Sequence, residues 1–173
     1  MKLLLSIHKC DVFMFTWLVN ARMHGALTHF SRCLSKTGDG QLYTVIIGLL
    51  YFSEGFESPF LQAILLAFLL ERPLYFLLKN GFKRNRPEAA LKNFRSIITP
   101  SDKFSFPSGH TSAAFMMATL LGYFLPSLMI PLYCWASLVG FSRVVLGVHF
   151  PTDTLVGVIL GISTAFFSLG QVI

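Results

Sequence analysis

Residues 142–169 read SRVVLGVHFPTDTLVGVILGISTAFFSL: a polar cluster, Ser142-Arg143-x5-His149-x3-Asp153, runs directly into an apolar stretch, 154–169, that carries no charged residue. Pro151 is a favoured first-turn residue, so a helix is expected to begin there with Asp153 in its first turn. A helix that is apolar on every side must face a protein core or lipid. Working outward, the same pairing of a polar cluster with an apolar run occurs twice more. Lys79-x6-Arg86-Pro87 follows the run 59–78, and Pro107-Ser108-Gly109-His110 precedes the run 111–125.

The whole chain of 173 residues is 54% hydrophobic and 13% charged, against about 25% charged in a typical soluble domain, which makes lipid the expected solvent. Five apolar segments can be drawn, at 41–52, 59–78, 111–125, 128–146 and 154–169. A bilayer span needs about 20 residues; the second, fourth and fifth serve as spans, while the first and third need their polar flanks to reach that length. Residues 11–36 keep apolar residues at helical spacing but carry Asn20, Arg22, His24, His29, Arg32 and Lys36, the pattern of one or two amphipathic helices lying in the interface. The expected fold is therefore all-α: a polytopic transmembrane helix bundle of about five spans, preceded by an N-terminal interfacial segment at 1–38, in one domain covering 1–173. Lys9 and Asp11 interrupt the apolar start and no small-residue cleavage site follows, so a cleaved signal peptide is not expected.

The formal net charge is +6, and the basic residues concentrate at 79–103 rather than in a tail. That distribution favours anionic headgroups or phosphate over nucleic acid, and no obligate protein partner is expected. Lys83, Arg84, Lys92, Arg95 and Lys103 read as an interfacial basic surface. With helices alternating in direction, the long loop 79–106, the 142–153 region and the Gly38-Asp39-Gly40 turn all fall on one membrane face, so the three clusters can converge. Asp39 reads as a helix N-cap. Glu71-Arg72, just before Pro73 inside the second span, reads as a local ion pair beside a proline kink, with substrate gating as the other reading. Cys10, Cys33 and Cys134 show neither CxxC spacing nor a histidine partner; they are expected to be buried small hydrophobes, and no metal site is expected.

Arginine presents a planar fork that matches two phosphate oxygens, and lysine a mobile point charge. Lys79, Arg86 and Arg143 would together neutralise a bound phosphate. Ser108 can cap the third span, Gly109 can let a phosphate approach the backbone, and a helix N-terminus binds anions through its unpaired N–H groups. Each piece also has a plain account, as a capping serine, an interfacial histidine at His110, or an aspartate stabilising a helix dipole at Asp153. The sharper reading has Asp153 accept a hydrogen bond from one ring nitrogen of His149, leaving the other nitrogen to attack phosphorus. His8, His24 and His29 lack such company and read as interfacial.

These three clusters, eleven specified residues in order, resemble the signature of the type 2 phosphatidic acid phosphatase (PAP2) superfamily, which also contains glucose-6-phosphatases and vanadium haloperoxidases. The resemblance covers residues 79–153 and implies a PAP2/haloperoxidase-like helical core. It implies His149 as the nucleophile that forms a phosphohistidine, Asp153 as its orienting partner, and His110 as the general acid that protonates the leaving oxygen. Lys79, Arg86, Ser108, Gly109 and Arg143 would hold the phosphoryl oxygens, with no cofactor and no metal. The implied function is hydrolysis of a lipid phosphate or diphosphate, with undecaprenyl diphosphate placed narrowly ahead of phosphatidylglycerol phosphate, phosphatidic acid and lipid A phosphate. A non-catalytic lipid-binding or transport protein that keeps the anion pocket is the alternative, and a haloperoxidase is a third. The expected location is the bacterial inner membrane with the site facing the periplasm, although the lysines and arginines on the catalytic side would by the positive-inside rule place it in the cytoplasm.

Overall fold

The computed structural model describes residues 2–20, 25–100 and 102–173; Arg22 and His24 of the N-terminal segment lie outside them. The elements are α1 (Lys2–Asn20), α2 (Gly25–Thr37), α3 (Gly40–Glu54), α4 (Pro59–Phe82), the single turn α5 (Pro87–Ala90), α6 (Gly109–Phe124), α7 (Met129–Val145) and α8 (Pro151–Val172), with a 3-10 turn at Pro126–Leu128. All five apolar segments are helices, and α8 begins at Pro151. Among the described residues, three helical stretches are long and apolar enough to cross a membrane: Pro59–Phe82, Pro126–Val145 and Pro151–Val172.

Helix α6 is the axis of the bundle. It packs against α4, α7 and α8, and every residue from Thr111 to Leu120 is buried. At 16 residues it is about 24 Å long, less than the ~30 Å of a bilayer core, but a helix sheathed by longer neighbours need not meet lipid along its whole length. Ala63, Ile64 and Ala67 of α4, Met116, Met117 and Leu120 of α6, and Ala165 and Leu169 of α8 form one apolar core. The Ser168 hydroxyl donates to the Ala63 carbonyl at 2.5 Å, joining α8 to α4.

The approach of α8 to α6 depends on two glycines four residues apart. A Cβ at Gly161 would sit 2.2 Å from the Ser112 carbonyl oxygen, and one at Gly157 would sit 2.7 Å from that of Ser108. This is the small-x-x-x-small device by which membrane helices bring their backbones together.

The N-terminal segment forms two helices, and both are bound to the bundle rather than lying free on it. Asp11 and Phe15 of α1 are buried, with the Phe15 ring edge-on to Phe94 and Phe150 at centroid distances of 5.1 and 5.5 Å. Phe13 and Trp17 on the same helix are exposed, so α1 is two-faced. Helix α2 buries Ser31 and Ser35 and packs against α7.

Expected as buried, Cys10, Cys33 and Cys134 are instead all exposed; a bundle whose exterior is also apolar gives small hydrophobes no reason to prefer its interior. The Glu71–Arg72 pair matches the local reading: Arg72 Nε lies 2.5 Å from Glu71 Oε2, with Glu71 fully buried.

Candidate active site

The long loop doubles back on itself. Ser105 N–H donates to the Arg84 carbonyl at 2.8 Å, and Asn85 and Phe104 form an isolated antiparallel bridge. This fold-back returns Asp102 to the end of α4, where it meets the first polar cluster. Lys79 Nζ donates to Asp102 Oδ2 at 2.6 Å and also contacts the Tyr75 hydroxyl. Tyr75 itself donates to Asp102 Oδ2 at 2.7 Å. Arg86 holds the same residue twice, through Nη2 to Oδ1 and through Nε to the backbone carbonyl at 3.0 Å, and its Nη1 donates to the Val148 carbonyl at 2.6 Å. Burial pushes the Asp102 carboxyl up, but the hydrogen bonds from Lys79, Tyr75 and Arg86 outweigh it and hold the group at about 2. Two of the three expected phosphate cations therefore converge on a carboxylate that sequence pattern does not single out. Its oxygens hold the same donors a phosphoryl group would use.

A cavity of about 470 Å³ opens beside this cluster, and Arg86, Gly109, His110, Arg143 and His149 all line it. The three polar clusters thus meet in one place. Lys79 reaches that place through Asp102, which lines it, while Ser108 and Asp153 are buried and do not line it. Arg143, nearly buried at the end of α7, donates Nη1 to Ser35 Oγ at 2.5 Å, and its Nε has no partner, so a donor is left for a ligand. A second cavity of about 540 Å³ shares His110, Arg143 and Asp39 with the first and is also lined by His29, Arg32 and Lys36 of α2. Expected only as an interfacial residue, His29 borders this second cavity.

Ser108 occupies the N-cap position of α6, but its side chain makes no capping bond; its hydroxyl pairs with Thr111 Oγ1 at 2.9 Å. The bare Cα of Gly109 faces the Tyr75 ring, where a Cβ would meet Tyr75 Cε2 at 2.9 Å. Its smallness serves that packing, and the residue also lines the cavity where a phosphate would sit.

His149, in the turn between α7 and α8, is 2% exposed. Its Nδ1 lies 3.8 Å from Asp153 Oδ2 and has no hydrogen-bond partner. The expected pairing is present as a contact of charges but not as a closed hydrogen bond, which needs about 3 Å. Asp153 Oδ2 instead accepts the Phe150 N–H at 2.8 Å, capping α8. Active-site hydrogen bonds are often long without ligand and tighten when it binds. Burial, the largest influence, lowers His149 to about 4, reinforced by the Arg143 and Arg86 charges and opposed by Asp153.

Arg84, expected among the interfacial basic residues, belongs to this site. Its Nη1 donates to Asp153 Oδ1 at 2.8 Å and to Thr152 Oγ1 at 2.7 Å, its Nη2 donates to Asp11 Oδ2 at 2.6 Å, and its guanidinium lies over the Phe150 ring at 4.5 Å. Asp11 in turn accepts the Thr152 N–H at 3.0 Å. The first helix is thereby tied to the carboxylate behind His149. Asp39 is the other revision. It stands at the N-cap of α3, yet its side chain caps nothing and contacts His110 Nε2 at 2.7 Å.

With this geometry in view, known proteins give a consistent comparison. Phosphatidylglycerophosphatase B of Bacillus subtilis is 39% identical over 118 residues, 62% of this chain and 55% of that protein, so the chain spans little more than half the length of that relative. The crystal structure of Aquifex aeolicus LpxE superposes with a TM-score of 0.80 at 32% identity, covering 91% of this chain and 93% of that one. The structure of a transmembrane PAP2-type phosphatidylglycerolphosphate phosphatase from Bacillus subtilis gives 0.79 at 29% identity, covering 96% and 86%. The profile described as the PAP2 superfamily matches residues 59–172, from the start of α4 to the end of α8, and the chain belongs to that superfamily.

Proposed function

We propose that this protein is a membrane lipid phosphatase that hydrolyses a phosphate or diphosphate monoester through a phosphohistidine on His149. The observation that carries the reading is the shared cavity: a buried imidazole, a second imidazole and three guanidiniums, those of Arg72, Arg86 and Arg143, line one space. In the first step a ring nitrogen of His149 attacks phosphorus, and the bond from phosphorus to the leaving oxygen breaks with its electron pair on that oxygen. His110 supplies the proton. In the second step water attacks the phosphohistidine, His110 takes the water's proton, and His149 leaves as the neutral imidazole. Arg143 and Arg86 stabilise the charge that develops on the phosphoryl oxygens, and Lys79 joins them once the substrate competes with Asp102. The cations of this site are side chains.

Undecaprenyl diphosphate stays first among the substrates. Its second phosphate needs additional positive charge, and Arg32 and Lys36 line the adjoining cavity beyond His110. Phosphate release from a panel of undecaprenyl diphosphate, phosphatidylglycerol phosphate, phosphatidic acid and lipid A phosphate is the test. The diphosphate is expected to show the highest kcat/KM, and inactivity across the panel would sink the enzymatic reading.

We place the site on the periplasmic face of a bacterial inner membrane. Helix α8 starts at the site and carries the chain through 22 residues to its far end, about 33 Å away, so Ile173 lies on the opposite side. A reporter fused at Ile173 is expected to read out as cytoplasmic; a periplasmic signal would reverse the assignment.

A further inference from the structure

We infer that Asp39 is a positioning residue for His110: it holds the imidazole by one nitrogen so that the other faces the leaving oxygen. The inference rests on the reading of His110 as proton donor and adds a second carboxylate–imidazole pair to the one formed by Asp153 and His149.

Three observations converge on it. The first is the contact itself, Asp39 Oδ1 to His110 Nε2 at 2.7 Å across 71 residues of sequence. The second is what Asp39 does not do. At the N-cap of α3, in extended conformation (φ −75°, ψ 151°), it could cap the helix, but it makes no side-chain cap bond. A capping aspartate contributes about 1 kcal/mol, and here the carboxylate is committed to the histidine instead.

The third is how the turn is placed. Gly38 packs so closely that a Cβ there would come within 2.9 Å of Val139 Cγ1 and 3.6 Å of His110 Cδ2. Just before it, Thr37 Oγ1 accepts the Trp135 indole N–H at 2.8 Å, and Ser35 accepts from Arg143. The turn is therefore fastened to α7 independently of the Asp39 contact, and it presents the carboxylate to a histidine on α6. Both cavities include Asp39, His110 and Arg143, so the pair stands where they adjoin.

The proton balance follows. The step needs His110 in its imidazolium form, with Nε2–H on the Asp39 carboxylate and Nδ1–H toward the leaving oxygen; burial and the Arg143 charge oppose that form and the Asp39 carboxylate supports it. As the phosphorus–oxygen bond breaks, Nδ1 gives up its proton and regains a lone pair, while Nε2–H stays on Asp39. In the hydrolytic half, Nδ1 removes a proton from the attacking water and the imidazolium is restored. Asp39 keeps its charge throughout and also favours the charged ring over the neutral one.

The test compares leaving groups. An alkoxide or lipid phosphate needs a proton as it departs, whereas 4-nitrophenolate does not, so loss of a proton donor's support shows mainly on the lipid. Asp39→Asn suits the experiment because asparagine is an equally good N-cap and keeps the shape. We expect kcat on the lipid phosphate to fall about 10- to 100-fold with KM within about threefold, and the loss on 4-nitrophenyl phosphate to be at least tenfold smaller. Asp39→Glu should recover part of the lipid rate. In a His110→Ala background, Asp39→Asn should cost nothing further, as expected of residues that act as a unit. Equal losses on the two substrates, no loss on the lipid, or an undiminished loss in the His110→Ala background would each overturn the assignment of Asp39. Full activity of His110→Ala itself on the lipid phosphate would overturn the proton-donor reading beneath it.

Discussion

Purified His149→Ala protein is expected to release phosphate from lipid phosphates at least about 10³-fold more slowly than the parent, with the loss falling on kcat. The size follows from the role: removing an attacking nucleophile takes away the covalent route and leaves only whatever binding and charge stabilisation give to direct attack by water. The side chain is nearly enclosed and its Nδ1 lacks a partner, so replacing it leaves a small space and no stranded buried charge beyond those already paired. Asp153 keeps its bonds to Arg84 and to the Phe150 N–H. The variant should therefore fold and still bind substrate. Two further readouts separate chemistry from misfolding. Parent enzyme quenched in denaturant during turnover should carry acid-labile phosphate on the chain, and the variant none. The parent's kcat/KM, after allowance for substrate ionisation, should also hold down to about pH 4, because burial lowers His149 to about 4, well below the ~6.5 of a free histidine. The sign is simple: above that value the ring is neutral and can attack, and below it protonation removes the lone pair. A His149→Ala protein as fast as the parent would end the phosphohistidine mechanism.

The extent to which sequence pattern reveals this site depends on the range of each contact. Arg143, His149 and Asp153 lie within eleven positions of one another, and Lys79 and Arg86 within eight, so residue type and spacing are enough to nominate them. Arg84 is different. Its partners Asp153 and Asp11 are 69 and 73 residues away, and nothing local distinguishes it from neighbouring Lys83 or Lys92 on a basic loop. Asp102 and Asp39 were hidden for the same reason, one as a loop residue and the other behind an adequate local explanation as a helix cap. The helices themselves were legible because apolar runs are the expected mark of lipid as solvent. The same solvent hid which way the cysteines face, since in a bundle surrounded by lipid an apolar side chain is at home on either side. Gly157 and Gly161 stand between these cases. Their four-residue spacing is plain in the sequence, but only the structure shows that α6 fills the groove they leave.

Replacing Gly161 with leucine should be the most damaging substitution outside the catalytic residues. The atoms a side chain would meet are the Ser112 carbonyl oxygen at 2.2 Å, the Met116 nitrogen at 2.9 Å and the Ser112 carbonyl carbon at 3.0 Å. All are backbone of α6, locked in its helix, so no rotamer change can clear them and the two helices must part. Overpacking a core commonly costs about 1–3 kcal/mol, and obstruction by helix backbone belongs at or above the top of that range. For a chain of this size, about 3 kcal/mol lowers the unfolding midpoint by roughly 6–12 °C. The damage should extend to chemistry, because α6 carries His110 and the first turn of α8 carries Asp153 beside His149, so parting the two helices would separate the proposed proton donor from the proposed nucleophile. Gly170→Leu supplies the control: it lies on the same helix, but a Cβ there meets nothing within 4 Å. The measurement is the midpoint of thermal inactivation in detergent, with activity followed at a permissive temperature. Gly170→Leu should stay within about 2 °C of the parent while Gly161→Leu falls well below it; coincident midpoints would mean that α6 and α8 are not held together by this contact, and that the distance between His110 and Asp153 is set elsewhere in the bundle.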